Sequence, residues 1–404
     1  MPAPVVVLFT TYPIAQPRSG GQIRAAAIAQ AYAAGGFRVV PIAVTEAGAF
    51  PRVEHGPDDL EFPLDDPRAF NGGAPLPQSN DLQAGRFLAA DEKLFKRLVK
   101  KLPARVEAFH LEQPWLLPAV TKLKTLPRFE RSLIVYGSQN IEAPLRAAIC
   151  QQAGVDGSGV IAAVQAVELE ACRVAELTLA VSESDETALR SMGARKVVRA
   201  ANGIHASKAD PKVVARWQEQ LRHRRVALFV GSAHPPNAAG FVQAFGDALG
   251  FLPPDCCIVA AGRVGVRLRE HYEATRYKTL NLSRLLITGE VAEDDLSALK
   301  ALAEVYLLPI FEGGGSNIKT SEAILSGRPI IATSTSLRGF ERYTSLPGLT
   351  IADSQQAFID ALRSAFTSPP RPTAPIDAHR TELLWQNTLS QVAPALTQLL
   401  SSRA

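Results

Sequence analysis

The sequence predicts an α/β protein made of two Rossmann-like, doubly wound domains, and three observations carry that expectation. Runs such as VVVLFT (5–10), VALFVGS (226–232) and EVYLLPI (304–310) are continuously apolar, as strands of a parallel sheet buried on both faces are. Helical stretches separate such runs, so successive strands are joined by crossovers. The alternation runs through one set, breaks near Asn202-Gly203 and restarts. At 404 residues the chain is too long for one ordinary core. The expected division is an amino-terminal domain over 1–201 and a second domain over 202–375. A helical stretch over 376–404 is expected to pack back on the first domain.

The first set opens with VVVLFT, a loop TYPIAQPRSGGQ, an alanine-rich helix closed by glycines, and the strand FRVVPIAV (37–44). Residues 46–85, rich in Pro, Asp, Gly and Asn, read as an irregular insertion. A basic helix (91–102) and the strands VEAFHLEQ, SLIVYGSQN, AELTLAVS and KVVRAANG follow. The segment NGIHASKADPK reads as the linker. Beyond it come VALFVGS, the helix NAAGFVQAFGDAL, the strands CCIVAAG and LLITGEV, the helix DDLSALKALA, EVYLLPI and PIIAT.

Composition narrows the function. Hydrophobic residues make up 47% and charged residues 20%, a globular balance, and the net charge of +4 is far from that of a dedicated nucleic-acid binder. Cys150, Cys172, Cys256 and Cys257 form no Cys-x-x-Cys pair, which fits buried thiols in a reducing cytoplasm. The amino terminus shows no signal-peptide pattern, and no 18-residue apolar span occurs.

The most informative stretch is FEGGGSNIKTSEAILSGRPIIAT (311–333). It places three glycines after a buried strand and before a helix, where ligands bind in open α/β sheets. Glycines let backbone N–H groups approach a ligand, and a helix N-terminus favours an anion. Lys319 in the first turn suits phosphate oxygens, and Glu322 three residues on suits the two hydroxyls of a ribose. The alternative is a surface Lys–Glu pair worth ~0.2–0.5 kcal/mol. Gly-x4-Gly-Lys-[Ser/Thr] is absent because Ile318 precedes the lysine, and the first loop has Ser19-Gly20-Gly21 in place of Gly-x-Gly-x-x-Gly.

This block resembles the nucleotide-sugar motif of GT-B glycosyltransferases, especially glycosyltransferase family 4. YPIAQPRSGGQIR, YGSQNIEAPLR, LAVSESDETAL, ANGI and LFVGSAHPPNAAGF extend the resemblance over nearly the whole chain. It implies two Rossmann-like domains facing each other across a cleft, with donor binding in the second and most acceptor binding in the first. It further implies a glycosyltransferase that uses a nucleoside diphosphate sugar, retains anomeric configuration and needs no metal or other cofactor. By resemblance, Glu322 holds the ribose, while Lys319 and the backbone of Gly314, Gly315, Ser316, Asn317 and Ile318 cradle the diphosphate. Gly313, Thr320, Gly231, Ser232 and Arg263 complete the expected nucleotide-sugar set, and Gly20 and Gly21 approach the transferred sugar.

The sequence also departs from the family. The first glutamate of the family's Glu-x7-Glu motif would fall at Gly314, and Glu312 stands two positions away. The loop after the first strand of the second domain reads GSAHPPN where many relatives supply an Arg and a Lys. Gln139-Asn140-Ile141-Glu142 stands where relatives often show His-Asn-x-Glu. Lys319, Glu312 and His110 are the expected catalytic group.

Some features read two ways. His110 either lines the cleft or is structural. Arg24 either meets an acceptor anion or is solvated. The helix EKLFKRLVKKLPAR (92–105) either buries its apolar residues in the core or presses onto anionic lipid, at the inner face of a membrane. RHRR (222–225) reads as a solvated edge. The Asp pairs at 58–59, 65–66 and 294–295 are contiguous, never Asp-x-Asp, and no His/Cys/Asp cluster has metal-ligand spacing, so no metal is expected. The acceptor class stays open among glycan, lipid-linked, protein and small-molecule hydroxyls. A GT-B epimerase, an inverting transferase and a non-catalytic GT-B subunit that binds a partner or glycan are the other readings.

Overall fold

The VVVLFT run forms strand β1, Val5–Thr10, buried along its whole length. Around it lie β2 (Arg38–Glu46), β3 (Leu60–Phe62), β4 (Ala108–Glu112), β5 (Leu133–Gly137), β6 (Leu177–Ala180) and β7 (Val197–Arg199). The chain is described here by a computed structural model covering residues 2–63, 66, 79–206, 208–312, 318–369 and 378–403. Among these residues the first sheet has the order β3-β2-β1-β4-β5-β6-β7, every neighbouring pair parallel. The chain divides into two compact units, Met1–Ala201 with Thr388–Ala404, and Asn202–Asn387.

In the first unit, aromatic and aliphatic side chains on one face of the sheet build a core that includes Phe9, Phe109, Phe129 and Tyr136. The basic helix Glu92–Lys101 contributes Leu94, Phe95 and Leu98 to it and leaves Lys93, Lys96, Arg97 and Lys100 exposed. Its apolar stripe is therefore used by the core. The segment 46–85, expected to be irregular, holds a short 3-10 turn, Arg52–Glu54, the edge strand β3 and the start of the helix Asn80–Ala90. Three residues, LEF, are too few to show a period in the sequence, and pairing with Val44–Glu46 of β2 is what makes them a strand. The chain returns to this unit at Thr388, and the helix Val392–Ser401 packs against Gly20–Ala34.

The second unit repeats the plan with β8 (Arg225–Val230), β9 (Cys256–Ala261), β10 (Leu285–Gly289), β11 (Val305–Leu308), β12 (Ile330–Ala332) and β13 (Leu349–Ile351). The order is β10-β9-β8-β11-β12-β13, again parallel throughout. The expected linker is partly built into this unit. Ile204 bridges to Leu384, its N–H donating to Leu383 O (2.9 Å) and its carbonyl accepting from Trp385 N–H (3.1 Å).

Both sheets reverse their strand order between their first and fourth strands, and helices leave to opposite faces there. In the second unit that point lies between β8 and β11. The helix Pro235–Phe245 follows β8 and comes close to the end of β11 at Gly240. A Cβ on Gly240 would lie 2.1 Å from the Pro309 carbonyl oxygen, so only glycine permits this approach. Replacing Gly240 by Ala is expected to destabilise the unit by about 1–3 kcal/mol. Its urea unfolding midpoint should fall, and an unchanged midpoint would refute the close approach.

Candidate functional site

Lys319 lies at the start of the helix Ile318–Leu325, which follows β11. Its Nζ donates to Asn237 Oδ1 at 2.7 Å, and Asn237 sits in the first turn of the helix that follows β8. The bond therefore joins the two elements on either side of the strand reversal. Asn237 Nδ2 in turn donates to both the carbonyl oxygen and the hydroxyl of Ser232, each at 3.1 Å. Loss of solvent around the half-buried ammonium pulls Lys319 down to about 8, against the opposing pull of Glu322. His234, at the start of the same helix as Asn237, is held below the usual histidine range by partial desolvation and then by the charges of Lys319 and Arg267. Lys319 and Arg267 are thus the cations that act on His234.

Glu322, three residues beyond Lys319, pairs with Lys300 Nζ at 2.9 Å, both side chains being mostly buried. Lys300 comes from the helix Glu293–Leu302, which precedes β11. Gly231 follows β8 directly; its N–H donates to Ala261 O, and its carbonyl accepts from Val264 N–H. Arg263 caps the helix Val264–Ala274 and is exposed, as are Ser232 and Glu312. Thr320 is fully buried and its hydroxyl donates to Ser336 O at 2.7 Å. It thus anchors its helix to the next loop and faces away from the ligand side expected for it. Gly313, Gly314, Gly315, Ser316 and Asn317 lie outside the described residues.

The reversal in the first unit, between β1 and β4, is filled by a buried polar network. Arg24 Nε donates to Glu112 Oε1 at 3.0 Å and Nη1 to Ala200 O at 2.7 Å. His110 Nε2 lies 2.9 Å from Glu112 Oε2, and its Nδ1 lies 2.9 Å from the Tyr32 hydroxyl. With Nε2 donating to the carboxylate, Nδ1 accepts from the tyrosine. Burial alone would raise the Glu112 carboxyl, but Arg24, His110 and Gln139 outweigh it and hold it below the usual range. A Cβ on Gly137 would sit 2.2 Å from Glu112 Oε2 and 2.6 Å from His110 Nε2, inside the bond between them. His110 is 0% exposed, so its ring is an internal element of this network, and Arg24 is likewise buried and paired. Gly20 and Gly21 begin the helix above it, where Gln22 Oε1 accepts the N–H groups of Arg18 and Ser19.

The sequence reading singled out His110 and Arg24 but missed Asn237, Lys300, Glu112 and the pairing of Arg24 and His110 with Glu112. Asn237 carried a signal, standing in the loop after the first strand of the second set. The others are pairings between distant segments. Among the described residues no group of three or more His, Cys, Asp or Glu is placed to hold a metal ion, and no helix is long and apolar enough to cross a membrane.

Residues 224–368 match the family described as glycosyl transferases group 1. The match lies within the second unit, Asn202–Asn387. Solved structures extend the likeness to the whole fold. A sucrose-phosphate synthase from Thermosynechococcus elongatus aligns at 17% identity and TM-score 0.68, covering 99% of this chain and 100% of that one. An α,α-trehalose-phosphate synthase (UDP-forming) from Burkholderia vietnamiensis aligns at 14% identity and TM-score 0.65 over 100% and 99%. HepE of Anabaena, solved in complex with UDP, aligns at 16% identity and TM-score 0.59 over 99% of both chains. No curated protein sequence matches. The fold is GT-B, and within the matched residues Lys319, Asn237 and Glu322 gather at the strand reversal.

One group in the first unit has a testable pH signature. Glu142 opens the helix Glu142–Ala153 and accepts from Gln113 Nε2 at 3.2 Å. Burial, then the Glu168 carboxylate, push it up to about 8. A carboxyl raised on folding contributes stability that is present below its unfolded value of about 4.3 and is lost as pH rises through the folded one. Glu142→Gln should therefore flatten the fall in urea midpoint between about pH 4.5 and about pH 8, and should exceed wild-type stability above that range. An unaltered slope would contradict the assignment.

Proposed function

We propose that the protein transfers a sugar from a nucleoside diphosphate sugar to an acceptor hydroxyl, with retention and without a metal. The bond between the anomeric carbon and the diphosphate oxygen breaks, negative charge builds on the departing diphosphate, and the acceptor oxygen bonds to that carbon as its proton passes to a diphosphate oxygen. Stabilising that charge requires donors already in place before it develops. Lys319 is the observation that carries the reading, because it is a cation held at the carboxyl end of the sheet at the strand reversal, inside the glycosyl transferases group 1 match. By the resemblance, the backbone of 314–318 would join it on the phosphates, Glu322 would take the ribose hydroxyls, and Arg263 and Gly231 would border the nucleotide. Glu312 is the acid nearest in sequence to the family's sugar-contacting glutamate.

HepE of Anabaena binds UDP, and further structures of it hold UDP with glucose and UDP-glucose. That supports a nucleotide-sugar donor here, with the base left to experiment. The acceptor is expected to be held by loops of the first unit.

Calorimetric titration of UDP, GDP, ADP and TDP into wild type and Lys319→Ala tests the reading. One nucleotide should bind at micromolar Kd and weaken at least about tenfold in the variant, about 1.4 kcal/mol. Absence of binding by every nucleotide would refute it. Hydrolysis of the matching nucleotide sugar without acceptor then separates a transferase from a non-catalytic binding subunit.

A further inference from the structure

The loop after β8 reads Gly231-Ser232-Ala233-His234-Pro235-Pro236-Asn237. Asn237 is neutral, yet it holds the best-defined polar geometry at the strand reversal. Its amide makes three hydrogen bonds of fixed polarity: Nδ2 to Ser232 O and Ser232 Oγ, and Oδ1 from Lys319 Nζ. A lysine ammonium can only donate, so the oxygen must face it, and the amide nitrogen then points at the two serine acceptors. The chemistry permits one orientation of the side chain. The helix bearing it is fixed in turn by the approach of Gly240 to Pro309.

A free lysine is a point charge on a flexible stem and surrenders about 2 kcal/mol of rotamer entropy when it is held. Holding it in advance removes part of that cost from ligand binding. A carboxylate in the same place would hold it as well but would cancel its field, whereas an amide holds it without cancelling. We infer that Asn237 is the positioning residue that presets the Lys319 ammonium for the diphosphate of the donor. This rests on the proposed role of Lys319 at the diphosphate.

Glu322 on its own helix acts on Lys319, while Lys319 and Arg267 of the Val264–Ala274 helix both act on His234 at the start of the Asn237 helix. Glu322 is itself engaged by Lys300, and Asn237 Oδ1 is a neutral contact of the ammonium.

The test is a double-mutant cycle on nucleotide binding, with Asn237→Ala, Lys319→Ala and the pair, using whichever of UDP, GDP, ADP or TDP binds wild type. Asn237→Ala should weaken the diphosphate about fivefold and add nothing to Lys319→Ala, while the Kd of the corresponding nucleoside, which has no phosphate, stays unchanged. The isosteric Asn237→Asp should bind the diphosphate more weakly at neutral pH and should move the loss of affinity at high pH to a higher pH, because a carboxylate stabilises the charged lysine. Equal weakening of nucleoside and diphosphate, additive losses in the pair, or an unmoved pH profile in Asn237→Asp would overturn the inference. Binding lost in Lys319→Ala but kept in Asn237→Ala would overturn it alone. Absence of nucleotide binding by wild type would overturn both it and the proposed function. Thermal unfolding of each variant identifies any that fails to fold, and the Asn237→Asp profile then decides.

Discussion

Everything described in the second unit depends on the reversal of strand order between β8 and β11. A parallel sheet wound to both sides sends the helices after its first and fourth strands to opposite faces, and the carboxyl ends of those strands are left uncovered. What occupies that opening decides the chemistry. Here the two departing helices are tied across it by a hydrogen bond from Lys319 to Asn237, and the first of them lies close to the end of β11 because Gly240 carries no side chain. The residues proposed for the nucleotide owe their places to that junction: Gly231 and Ser232 follow the first strand, and Ile318, Lys319 and Glu322 belong to the helix after the fourth.

The first unit repeats the topology and solves the same opening differently. Its reversal is closed from within by Arg24, Glu112, His110 and Tyr32, a buried network in which each partner satisfies the next. Removing one member of such a set leaves a buried charge without compensation, which costs far more than the intact pair contributes. The two openings therefore differ in kind. One is a sealed internal structure, whereas the other keeps a cation half-buried and lowered to about 8, in position to act on an anion.

Much of this was legible in the sequence because it is local. Continuous apolar strands, glycine-closed helices and the restart after Asn202-Gly203 are properties of short windows, and they were enough for the two parallel sheets. Lys319 and Glu322 could be singled out because a glycine loop at a strand end has few other uses. What could not be read depends on pairing over distance. β3 is a strand only because β2 lies beside it. Lys300 meets Glu322, and Glu112 meets Arg24, across 22 and 88 positions of chain that no periodicity links. His110 follows the same rule: its place within a strand was visible, but the Tyr32 and Glu112 side chains that engage both ring nitrogens were not.

The most direct measurement of the central claim is the proton balance of nucleoside diphosphate binding near pH 8, by calorimetry in buffers of different ionisation enthalpy. A lysine lowered to about 8 in the free protein is partly deprotonated there, and an anion placed against it restores the proton. Uptake of a substantial fraction of one proton, abolished in Lys319→Ala, is the result this account requires. Binding without proton uptake, or uptake that survives in Lys319→Ala, would contradict it.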